Sequence, residues 1–109
     1  MTDAIQIVTT APDKDLAQRI AHALVEQRLA ACVQIAGPVE SVYRWQGQIE
    51  SATEWQCWIK TTAERYADVE RTIRQMHSYT VPEILATPIT AGNPDYLKWL
   101  AESVEPQRD

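Results

Sequence analysis

Gln48 to Thr61, QIESATEWQCWIKT, is the stretch on which the fold turns. It is rich in strand-forming residues and follows a first arm, Val39 to Trp45 (VESVYRW), across the tight-turn pair Gln46-Gly47. Fourteen residues at about 3.3 Å each extend to roughly 46 Å. A compact domain of this length has a radius of gyration of about 13 Å, hence a diameter of roughly 34 Å. The hairpin is too long for its own body. It must bend at a bulge, or project and pair with another copy of the chain.

Working outward, Ile5 to Thr10 (IQIVTT) predicts a first strand, closed by Ala11-Pro12-Asp13. Asp13 is the expected N-cap of a helix whose apolar stripe, Leu16, Ile20 and Leu24, runs to about Leu29. Ala31 to Ile35 then predicts a strand that continues through Gly37-Pro38 with a kink or bulge. After the hairpin, Thr61-Thr62-Ala63-Glu64 has the form of a capping box, and Tyr66, Val69, Ile73 and Met76 mark a helix from about Ala63 to Met76. Glu83 to Thr90 predicts a last strand, and Asn93-Pro94 opens a short helix through Tyr96, Leu97, Trp99 and Leu100. The order β-α-β-β-α-β with an added helix predicts an α+β, ferredoxin-like two-layer sandwich with a long β-hairpin and an extra C-terminal helix. At 109 residues the chain is one domain, 1–109, with its ordered core expected at about 4–104.

Ten Lys and Arg against 15 Asp and Glu, a net charge of -5 and no basic run argue against nucleic acid as a partner. The acidic start and the lack of a long apolar run lead to the expectation of a cytoplasmic protein with no membrane partner. Cys32 and Cys57 lack a CxxC spacing and are expected to be free thiols, with Cys57 in the core.

In a two-layer fold one sheet face is left bare. Pairing Trp45 with Gln48, Tyr43 with Glu50 and Val39 with Glu54 places Val39, Tyr43, Trp45, Gln56, Trp58 and Lys60 on one side. Ile49, Trp55, Cys57 and Ile59 take the other, the expected core. A bulge around Ser51 to Thr53 would swap part of this assignment. Tyr43, Trp45 and Trp58 are then expected at an interface. RNA is the weaker occupant, because the chain has no Phe, the third strand lacks the RNA-recognition signature, and the charge has the wrong sign.

With these motifs placed, the chain resembles the CutA family of divalent-cation tolerance proteins. The residues that carry the likeness include Leu29-Ala30-Ala31-Cys32-Val33, Ser41-Val42-Tyr43-Arg44-Trp45-Gln46-Gly47 and Glu54 ahead of Lys60-Thr61. Tyr79-Thr80-Val81-Pro82-Glu83 and Gly92-Asn93-Pro94-Asp95-Tyr96-Leu97, followed by Trp99, complete it. The resemblance implies a homotrimer of ferredoxin-like subunits whose hairpins extend a neighbour's sheet, similar in shape to PII signalling proteins. It also implies a cytoplasmic role in tolerance of copper and other divalent metals, with no enzymatic activity attached. No cofactor is required on this reading; Cu(II) or another divalent cation is the ion expected.

The candidate metal ligands are Cys32 and His77, which a trimer could gather from adjacent chains. Some relatives carry two consecutive histidines at this point, whereas Ser78 follows His77 here. Lys60 lies on a face expected to be covered, so it should pair with Glu54, Glu83 or a bound anion. With Tyr96 and Trp99 these residues make a candidate intersubunit pocket for a small polar ligand. Structural ion pairing inside the interface explains the same residues. Acylphosphatase-type hydrolysis is not expected, since the loop Thr9-Thr10-Ala11-Pro12-Asp13 lacks the Arg and Gly-rich cradle it needs.

Overall fold

A computed structural model describes residues 2–106 of the chain. The elements run β1 (Ala4–Ala11), α1 (Lys14–Glu26), β2 (Cys32–Trp45), β3 (Gln48–Thr62), α2 (Tyr66–Met76), β4 (Ile84–Pro88) and α3 (Pro94–Ser103), with a short 3-10 turn at Ala63–Arg65. They build one antiparallel sheet in the order β2-β3-β1-β4, the expected ferredoxin-like α+β arrangement.

The core forms where the periodicities agree. On β1 and β3 the inward residues Ile7, Thr9, Cys57 and Ile59 alternate with outward ones and are fully buried. The α1 stripe Leu16, Ile20 and Leu24 and the α2 pair Val69 and Ile73 close over them. Each such side chain contributes about 1.5–3 kcal/mol by leaving water.

The helix ends have identifiable causes. The Asp13 carboxylate accepts the Leu16 N–H at 2.8 Å, and Asn93 accepts the Asp95 N–H at 3.0 Å. Helix α1 stops at Glu26, short of Leu29. No capping box forms before α2: β3 runs on to Thr62, and the Thr61 hydroxyl donates instead to the Leu29 carbonyl at 2.7 Å. The C-terminal carbonyls of α3 are met by two guanidiniums, Arg28 Nη2 to Glu102 O at 3.1 Å and Arg65 Nε to Val104 O at 2.7 Å. They hold Leu100 and Val104 buried outside the main core cluster.

The hairpin register is the one read from the sequence, with Trp45 opposite Gln48, Tyr43 opposite Glu50 and Val39 opposite Glu54. Gln46 and Gly47 both adopt positive φ, 50° and 79°, as a two-residue turn requires. Pairing is unbroken through Ser51 to Thr53; the one register shift falls between Ala36 and Val39, where Gly37 and Pro38 oppose Trp55. The Gly37-Pro38 peptide is cis.

Strand β3 pairs with β1 only from Trp55 to Thr62, so the ribbon of Val39–Trp45 and Gln48–Glu54 runs on beyond the sheet. The molecule measures 46 × 31 × 21 Å. Ile49 was expected in the core and is instead 70% exposed, because it lies on this ribbon beyond the reach of both helices. Alternation selects a face, but only a covering layer buries it.

At Gly37 an added Cβ would lie 2.8 Å from Trp55 Cε3 and 3.2 Å from the Glu54 carbonyl oxygen. Gly37→Ala should therefore destabilise the fold by about 1–3 kcal/mol, through a displaced indole at the bulge. Urea unfolding monitored by far-UV circular dichroism measures this, and an unchanged midpoint would refute it.

Candidate functional site

Where β1 ends at Ala11, the loop between α2 and β4 stands beside the base of the projecting ribbon. The loop is fixed at its start by His77. Its Nδ1 accepts the Tyr79 N–H at 3.0 Å, so the neutral ring carries its proton on Nε2, which donates to the Thr10 carbonyl at 2.6 Å. The His77 and Tyr79 rings also pack, with centroids 4.7 Å apart.

A cavity of about 630 Å³ lies between loop and ribbon, with Tyr43, Trp45, Glu54, Tyr79 and Glu83 on its walls. Glu54 is only 7% exposed, although it stands on a strand face that carries no core cluster. Its Oε2 accepts the Tyr79 hydroxyl at 2.8 Å. Burial, and then the adjoining Glu54 carboxylate, hold the Tyr79 phenol well above its ordinary value, so it remains a donor at neutral pH.

A second cluster occupies the far end of the same sheet face. Cys32 pairs with Lys60 across β2 and β3, and Tyr96 from α3 lies against the Cys32 thiol. Burial, followed by Cys32, raises the Tyr96 phenol. Trp99 packs on Tyr96 with centroids 5.3 Å apart. The Lys60 ammonium donates to the Gln34 side-chain carbonyl, not to Glu54 or Glu83 as expected. Six strand positions separate Lys60 from Glu54, about 20 Å at the usual rise.

The residues expected to share one pocket thus divide within a single chain. Glu54 and Glu83 belong to the cavity; Lys60, Tyr96 and Trp99 belong to the Cys32 end. Tyr43 and Trp45, expected at an interface, are exposed and also line the cavity, while Trp58 is half-buried. Cys32 and His77 do not meet within one chain, and both His77 nitrogens are engaged. Among the described residues no group of three or more His, Cys, Asp or Glu could hold a metal ion. Tyr79 is the functional residue that the sequence reading passed over. The signal for it was the need of a buried carboxylate for a donor.

Tyr79→Phe should cost about 1.5–3 kcal/mol, since it strips a charged, buried acceptor of its donor. The sign with pH follows from the raised phenol: its contribution is complete below about pH 10 and is lost as the pH climbs from there. Absorbance at 295 nm should show that the variant lacks the last phenol to ionise. A late phenol that persists in the variant would contradict the assignment.

Comparison with known proteins gives these features a setting. The family model for "CutA1 divalent ion tolerance protein" matches residues 5–103. The divalent-cation tolerance protein CutA of Thermus thermophilus is 44% identical over 97 residues, spanning 89% of this chain and 94% of that protein. A chloroplastic CutA of Arabidopsis thaliana is 37% identical over 100 residues, covering 92% of this chain and 55% of that one. The solved structure of the periplasmic divalent cation tolerance protein CutA from Archaeoglobus fulgidus superposes with a TM-score of 0.91 at 45% identity, covering 94% of this chain and 99% of that one. Sheet order, hairpin and sequence agree along nearly the whole chain, and the protein belongs to the CutA1 divalent ion tolerance family.

Proposed function

We propose that the protein contributes to divalent-cation tolerance as a cytoplasmic homotrimer, without catalysis, and that copper is among the ions it binds. The observation that carries the assembly is the ribbon. Beyond Trp55 it pairs, among the described residues, with nothing except itself, and it exposes Val42 at 63% and Ile49 at 70% on one face, with Tyr43 and Trp45 on the other. A two-stranded ribbon is marginal alone in water, and apolar surface of this kind is normally covered by a partner. A second copy offers a matching open strand edge in β2.

Metal binding follows from the same assembly, since ligands from several chains would complete a site that one chain lacks. Cys32, a half-exposed free thiol, is the soft ligand suited to copper. His77 serves chiefly as the loop anchor and would have to give up a hydrogen bond to bind metal. The cytoplasmic placement rests on the two free thiols; relatives are also found as periplasmic and chloroplastic proteins. Among the described residues no helix is long and apolar enough to cross a membrane.

A second reading, a PII-like trimer that senses a small ligand, is favoured by the cavity at the base of the ribbon. Calorimetric titration with Cu(II) separates the two. Cys32→Ser should weaken copper binding by at least about tenfold, whereas His77→Ala should lower thermal stability and leave copper affinity nearly unchanged. Wild-type affinity in Cys32→Ser would remove the thiol from the site. A large loss in His77→Ala at unchanged stability would restore His77 as a ligand.

A further inference from the structure

No further inference is drawn: the strongest candidate, the sheet face turned away from α1 and α2, on which Trp58, Val8 and Leu85 stand side by side across β3, β1 and β4, carries nothing because no observation in the structure shows what covers it.

Discussion

The structure depends on a mismatch of strand lengths. Strand β3 has 15 residues and its central partner β1 has 8, so half of β3 is fastened to the domain and half is not. From Gln56 to Lys60 every β3 residue has strand neighbours on both sides, and a helical layer covers one face. Above Trp55 the ladder has one partner and no cover. The core supplies the folding free energy, and the ribbon supplies strand edge and apolar surface for something else.

The bulge at Gly37-Pro38 stands at this transition, opposite Trp55. A bulge bends its strand and increases the local twist, which re-aims the ribbon as it leaves the sheet. The indole of Trp55 fits over Gly37 only because no Cβ intervenes. Immediately beyond it, Glu54 is drawn into the space that β1 vacates, and the Tyr79 loop closes against it. The end of β1 thus does two things. It frees the ribbon, and through the Thr10 carbonyl it provides the acceptor that His77 uses to hold the loop. The strand-length mismatch and the cavity are one feature of the chain.

Much of this was legible in the residues because local rules and the global fold agree. The Gln46-Gly47 turn fixes the register of the seven pairs between the arms, from Trp45–Gln48 to Val39–Glu54, Asp13 and Asn93 announce helix starts, and Leu16, Ile20 and Leu24 recur at a helical period. Failures came where a long-range contact overrode a local pattern. Thr61 resembles a cap, but its hydroxyl is claimed by Leu29, 32 positions away. Ile49 obeys the alternation of a core residue, and alternation carries no information about where the covering helices end. Lys60 needed a partner, and a neutral amide two strand positions along, Gln34, sufficed where an acid was expected. Glu54 was legible as a residue with a role, yet its donor lies on a loop 25 positions away, which spacing alone does not connect.

The central claim is that the free half of the hairpin is completed by sister chains. Sedimentation velocity of the intact protein at micromolar concentration tests it most directly. The account predicts a single species of three chains that keeps this mass on dilution and unfolds only as it dissociates. A compact, cooperatively folded species of one chain would contradict it.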